Sequence, residues 1–338
     1  MKRLIVLIAA FALVAAACGG GTSATTVAPV VQDSTPTTLA PTTTLAPTTT
    51  LAPTTTTEVP DDGFPITVVA ANGNVLLDER PIRIVSISPT GTEMLFAIGA
   101  GDQVVAVDSF SYYPPQAPVT DLSGWQPNIE AIASYEPDLV VTSGDPDGLL
   151  EALSLLDIPV LMAPAAVTFD DVYSQIEQLG AATGNIGGAA ELVAQMQTDI
   201  ADIVATLPEL ENAPTYYHEL DPSLYSATSS TFIGTVYSAL GLVNIADEAD
   251  IDGFGFPQLS AEWVLDRNPD FIFLADGKCC GASPESVAER AGWGGLSAVL
   301  NNRVVVLDDD IASRWGPRIV DYMRSVANVV GALETTGS

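Results

Sequence analysis

Basic residues are scarce in this chain: 11 Lys and Arg stand against 42 Asp and Glu over 338 residues, a formal net charge of −31. Phosphate binding needs clustered Lys and Arg, so nucleic acid is excluded as a partner, and a polyanionic ligand is disfavoured. Most of the carboxylates are expected on a solvated acidic surface that keeps an exported protein soluble. Histidine occurs once, as His218 in TYYHELDP, and no GxSxG motif accompanies it. A hydrolase needs a nucleophile, a base and an orienting group, so no enzyme is expected. One His and no CxxC pair likewise argue against a dedicated zinc or manganese site. The cysteines are three, Cys18, Cys279 and Cys280, too few for a disulfide framework. The longest apolar run, Leu4 to Val14, is too short to span a bilayer.

That run belongs to a leader. Lys2 and Arg3 precede it, and Ala15-Ala16-Ala17-Cys18 follows, which reads as a secretory signal over residues 1–17 ending at a bacterial lipobox. Cys18 is then the lipidated first residue of the mature protein, held at the outer face of the cytoplasmic membrane because each buried acyl methylene contributes ~0.8 kcal/mol. Residues 18–63 are Thr, Pro, Ala and Ser, with LAPTTT starting at Leu39, Leu45 and Leu51. Such composition cannot bury enough apolar surface to offset chain entropy, so this stretch reads as an extended tether. Without Lys2 and Arg3, 9 basic residues face the 42 acidic ones.

The remainder, about 275 residues, is enough for two lobes. ITVVAANGNVLL alternates around Asn72-Gly73 and predicts a tight β-hairpin. IRIVSIS, SPTGTEMLFAIGAG and QVVAVD then read strand, helix, strand. A helix near Asn128 to Ser134, a strand at DLVVTS, a helix near Asp147 to Leu156 and a strand at PVLMAP continue the alternation. From Phe169 the pattern is helical, and Ala189 to Leu207 predicts one long helix. Alternation resumes with strands at TYYHEL, DFIFLAD and RVVVLD, and helices at TFIGTVYSALG, LSAEWVLDRN, Gly295 to Leu300 and Pro317 to Leu333. The fold class is α/β, with parallel sheets covered on both faces: an N-terminal lobe over residues 64–184, a connecting helix over 185–208 and a C-terminal lobe over 209–338.

A ligand cleft is expected between the lobes, at the carboxyl ends of the strands. The loops there are SFSYYPPQAP, GDPDG, DPSLYSATSS, GKCCGAS and DDIASRWGPR, rich in aromatics such as Phe110, Tyr112, Trp125 and Trp315. Arg314 is the candidate polar anchor; the alternative is a pairing with Asp308, Asp309 or Asp310. His218 is either a buried strand residue or a contact to a metal-containing ligand. Cys279 and Cys280 allow a vicinal disulfide, free buried thiols or ligation of the ligand.

IRIVSISPTGTEMLFAIGAG, VDSFSYYPPQA, LSGWQPNIEAIASYEPDLVV, PQLSAEWVLDRNPDFIFL and RWGPRIVDYM, in that order, resemble the helical-backbone periplasmic binding proteins of the vitamin B12, ferric-siderophore and haem uptake systems. The resemblance runs from about Ile82 to Val330 and implies two Rossmann-like lobes bridged by a rigid helix that resists wide hinge motion. It also implies corrinoid contacts at Phe110 and Trp125, where Phe110 stands for the Tyr of vitamin B12-binding members, and a C-terminal contact loop from Asp310 through Arg314. Docking on an ABC permease would use one surface Glu per lobe, Glu130 in QPNIEAI and Glu262 in QLSAEWV. The expected function is that of a monomeric lipoprotein capturing a cobalamin for an ABC importer, with no resident cofactor. A ferric siderophore or haem is the alternative ligand, and a surface-tethered sensor or adhesion module the alternative class.

Overall fold

The computed structural model describes residues 63–208 and 211–333. The leader, Cys18 and all but the last residue of the tether lie outside the described residues.

Eleven strands and twelve helices occur among the described residues. The predicted hairpin is β1 (Ile66–Ala70) and β2 (Gly73–Leu77), paired antiparallel with Ala70 opposite Gly73. Gly73 sits at φ +101°, a conformation glycine adopts without steric cost. Then follow β3 (Ile84–Ser86), α1 (Pro89–Ala97), β4 (Val104–Asp108), β5 (Val119–Leu122), α2 (Ile129–Ala133), β6 (Leu139–Thr142), α3 (Leu149–Ser154) and β7 (Val160–Met162). Two longer helices follow, α4 (Phe169–Thr183) and α5 (Ile186–Ala205). The second half contains β8 (Thr215–Glu219), α6 (Phe232–Ala239), β9 (Val243–Asn244), α7 (Ala261–Arg267), β10 (Phe271–Leu274), α8 (Gly277–Cys280) and α9 (Pro284–Ala288). It closes with α10 (Ser297–Leu300), β11 (Val304–Val306), α11 (Asp309–Ala312) and α12 (Ile319–Gly331).

Two parallel sheets result, ordered β5-β4-β3-β6-β7 and β11-β10-β8-β9. Residues alternate between their faces as the twofold strand period requires. Ile84, Leu139, Val141, Tyr216, Phe271 and Phe273 enter one continuous core that runs beneath both sheets and takes in α4, α5 and α12. Val85 and Val140 face a separate cluster on the outer side of the first sheet, and Tyr217, Ile272 and Leu274 one on the outer side of the second. Burial on both faces explains why these strands read as unbroken apolar runs. The predicted long helix is α5, which packs on α4 and α1 of the first lobe and on α12. Gly188 is required there: a Cβ on it would meet the Ile98 carbonyl oxygen at 2.2 Å.

Each lobe has a point where strand order reverses, between β3 and β6 and between β8 and β10. Loops leaving adjacent strands diverge there, so a crevice opens at the carboxyl ends.

Candidate functional site

The two reversal points share a cleft of about 710 Å³. The first lobe lines it with Ile87 to Thr90 after β3, Asp108 at the end of β4 and Phe110 beyond it, Gly124 and Trp125 after β5, and Ser143 to Pro146 after β6. The second lobe adds Leu220 after β8, Ala275 and Cys279 after β10, and Asp309 to Trp315 in part. The loops that the sequence singled out thus converge, and Phe110, Trp125, Asp310, Arg314 and Trp315 are brought together.

The aromatics are held open to solvent. Trp125 is 82% exposed and Phe110 57%. Behind Trp125 lies Gly124, where a Cβ would fall 2.4 Å from the Ile87 carbonyl oxygen and 3.1 Å from Asp108 Oδ2, so the loop approaches the β3 exit as only glycine permits. Trp315 is anchored instead, its Nε1–H donating to Gln175 Oε1 at 2.9 Å. Tyr112 does not line the cleft surface; its hydroxyl bridges the lobes by donating to Asp310 Oδ1 at 2.5 Å.

Arg314 is not a free anchor. Its Nη1 donates to Glu93 Oε1 at 2.8 Å and its Nη2 to the Phe110 carbonyl at 3.0 Å and Asp310 Oδ1 at 3.2 Å. The pairing is with Glu93 as well as Asp310, and Glu93 is a site residue that the sequence reading missed. That residue, 3% exposed in α1, also takes Arg318, with Nε at 2.9 Å from Oε2 and Nη2 at 2.5 Å from Oε1. Arg318 lies 4.0 Å above the Tyr113 ring. One buried carboxylate of the first lobe therefore holds two guanidiniums of the second.

The other cation of the cleft rim is also bound. Lys278 Nζ lies 2.8 Å from Asp308 and 3.0 Å from Asp310. Burial pushes the Asp310 carboxyl up, but the hydrogen bonds from Tyr112 and Lys278 and the charges of Arg314 and Lys278 together outweigh it and hold it below its ordinary value. Asp108, nearly fully buried, is raised by desolvation despite hydrogen bonds from its own loop.

His218, counted among the ligand contacts, is elsewhere. It is fully buried in β8, on the face toward the continuous core, with Nδ1 2.9 Å from the Tyr237 hydroxyl. Desolvation lowers its pKa to about 3, so it is a neutral core residue that does not reach the cleft.

The sulfurs of Cys279 and Cys280 are joined as a vicinal disulfide, with the Cα atoms 3.8 Å apart. Both cysteines are exposed. The segment expected to be a loop is the single turn α8, fixed by Asp309 Oδ2, which accepts from the N–H groups of Lys278 at 2.8 Å and Cys279 at 3.0 Å. Below it, Asp276 is fully buried, and neither carboxylate oxygen finds a hydrogen-bond partner beyond its own backbone. Desolvation, then the charge of Glu219, push its carboxyl up to about 6. Glu219 is paired in two-pronged fashion with Arg290, at 2.5 and 2.6 Å.

Glu130 and Glu262 are exposed and occupy matching places. Each is the second residue of a short helix, α2 or α7, capped by Asn128 or Ser260. Each helix leads into the strand, β6 or β10, that pairs with the first strand of its sheet across the reversal point.

Two α/β lobes, a bridging helix and a solvent-open cleft at both reversal points define a two-lobed binding protein. The model of the periplasmic binding protein family matches residues 84–311, and the chain belongs to that family. It is 31% identical over 278 residues to the uncharacterized ABC transporter substrate-binding lipoprotein YvrC of Bacillus subtilis, covering 79% of this chain and 86% of that one. It is 31% identical over 274 residues to a cobalamin-binding protein of Halobacterium salinarum, covering 78% and 74%. Among solved structures it resembles the periplasmic vitamin B12 binding protein BtuF of Vibrio cholerae, with a TM-score of 0.63 and 26% identity over 76% of this chain and 100% of that one.

Proposed function

We propose that this chain is the substrate-binding component of an ABC importer and that its cleft takes a bulky metal chelate of low net charge, a corrinoid foremost. The observation that carries the ligand class is the cleft's charge. Its charged lining residues, among those described, are Asp108, Asp145, Asp309 and Asp310 against Arg314. Arg314 is already engaged by Glu93 and Asp310. A tris-catecholate siderophore, which carries several negative charges, would meet carboxylates with no free cation to offset them. A corrinoid presents a broad ring face and amide-bearing edges instead. The exposed faces of Trp125 and Phe110 suit the ring, and the Ser88, Ser143 and backbone groups of the cleft suit the amides. The cobalamin-binding relatives support the same choice.

In this reading Cys18 carries the lipid anchor, the protein acts as a monomer at the outer face of the cytoplasmic membrane, and Glu130 and Glu262 meet cations of the permease. The matched placement of the two Glu residues gives both lobes one equivalent handle, and such charge pairs set docking orientation and encounter rate more than affinity.

The test is calorimetric titration of a soluble chain beginning at Gly19 with cyanocobalamin, a ferric tris-catecholate and haem. Saturable one-to-one cobalamin binding is expected, with Trp125→Ala weakening it by ~2 kcal/mol, about thirtyfold. Heat from the tris-catecholate and none from cobalamin would overturn the ligand class.

A further inference from the structure

The cysteine pair reaches the cleft through one of its members, and the proposed function makes no use of it. Its two members are not equivalent: Cys279 lines the cleft, on the second lobe's side, whereas Cys280 does not. Both are exposed, so an incoming thiolate can reach the S–S bond. The turn that carries them is held by groups other than the sulfurs. Asp309 Oδ2 accepts the Lys278 and Cys279 N–H groups, and Lys278 is clamped by Asp308 and Asp310. Opening the disulfide therefore leaves Cys279 at the cleft wall. The surrounding carboxylates oppose a free thiolate, and Lys278 offsets them in part; a cationic metal centre facing the sulfur would relieve that repulsion and is a good partner for a soft ligand.

We infer that Cys279 and Cys280 form a redox-gated ligation site: closed as the disulfide, and, once reduced, supplying the Cys279 thiolate to the metal of a chelate that has an exchangeable axial position. This rests on the metal-chelate reading above. Reduction requires an external dithiol. Its thiolate attacks one sulfur to give a mixed disulfide, and its second thiolate releases the protein as two thiols while the reagent leaves as a cyclic disulfide, two electrons having passed to the protein. Ligation then breaks the metal–water bond and forms a metal–sulfur bond; the thiol proton goes to solvent and the metal keeps its oxidation state.

The test uses the mature chain with Cys18 replaced by Ser, oxidised or reduced with dithiothreitol that is then removed anaerobically, with thiols counted to verify each state. Aquocobalamin and ferric haem, whose axial water exchanges, and cyanocobalamin, whose cyanide holds the axial position, are followed by visible absorption. The expected result is a metal–thiolate charge-transfer band with aquocobalamin or haem in the reduced protein, absent in the oxidised protein and absent with cyanocobalamin although it binds. Cys279→Ser abolishes the band, and Cys280→Ser, which frees Cys279 permanently, gives it without reductant. Bound aquocobalamin and haem with unchanged spectra in reduced protein and Cys280→Ser, or a band that survives Cys279→Ser, would overturn the ligation site and leave the function standing. Failure of every chelate, cyanocobalamin included, to bind overturns both.

Discussion

Replacing Asp276 by Asn is expected to stabilise the protein at neutral pH and to do nothing at low pH. Asp276 is a fully buried carboxyl close to Glu219 and Asp309, and Arg290, the cation that acts on it among the described residues, is already paired with Glu219. Burial and those charges raise its pKa from 3.8 to about 6. A carboxyl that binds its proton more tightly in the folded state favours folding at low pH, and this contribution is lost as pH rises from 3.8 through about 6. A difference of about 2.2 pH units, at ~1.36 kcal/mol each, makes the ionised Asp276 cost roughly 3 kcal/mol at pH 8 relative to pH 3. The Asn amide keeps the shape, removes the charge and offers N–H donors to neighbouring carboxylates. Thermal unfolding followed by circular dichroism at pH 4, 6 and 8 should show no gain at pH 4 and a rise in Tm of about 6–10 °C at pH 8. An equal gain at pH 4 and pH 8, or a loss at pH 8, would refute the argument that an uncompensated buried charge is the source.

Glu93→Gln leaves the part-buried guanidiniums of Arg314 and Arg318 without their shared counter-charge, and should cost about 3 kcal/mol in urea unfolding; a loss below about 0.5 kcal/mol would mean the two arginines do not hold the lobes through this carboxylate. His218 has the opposite pH sign to Asp276. Its folded pKa, lowered to about 3 from 6.5, makes stability complete above 6.5 and progressively lost as pH falls, roughly 3 kcal/mol by about pH 4. His218→Phe should therefore flatten the acid limb of the stability curve, and parallel curves for the two proteins would assign that limb to other groups.

The sheets were legible because they are buried on both faces: runs such as DLVV and FIFL admit one reading once Gly, Pro and capping residues bound them. β5 was missed because VTDL sits at a sheet edge with only Leu122 buried, so it carries no apolar run. β9, two residues long, left no pattern at all. GKCCG and DDIAS read as loops from their glycines and acids, yet each forms a helical turn because carboxylates accept the N–H groups of the turn: Asp309 for α8 and Asp308 for α11. Of the site, the aromatic loops were visible as composition at strand ends. The Glu93 contacts were not, since its partners lie 221 and 225 residues away. The available signal was a lone acid inside the apolar helix TEMLFAIG, a charge that must find a partner if buried. His218 gave the reverse lesson: even one residue from the carboxyl end of its strand, a histidine on a face packed against the core has no route to a loop cleft.

How the lobes are joined bears on what the cleft can recognise. Glu93 with Arg314 and Arg318, and Tyr112 with Asp310, already link the lobes with the cleft open to solvent, and within the second lobe Asp310 also holds Arg314 and Lys278. The guanidinium and ammonium groups best suited to gripping an anionic ligand are thereby committed to the protein's own carboxylates, and redirecting Arg314 to a ligand would take a counter-charge from the buried Glu93 carboxylate. α5, continuous over twenty residues and packed on helices of the first lobe and on α12, opposes the large rearrangement needed to release them. Under the proposed function, discrimination falls to shape and to aromatic faces that are exposed before the ligand arrives, above all Trp125 and Phe110. Surfaces of that kind distinguish ligands by the extent of ring they can cover rather than by charge, so in the proposed function the charge of the cleft would exclude ligand classes and the aromatic loops would choose among those that remain.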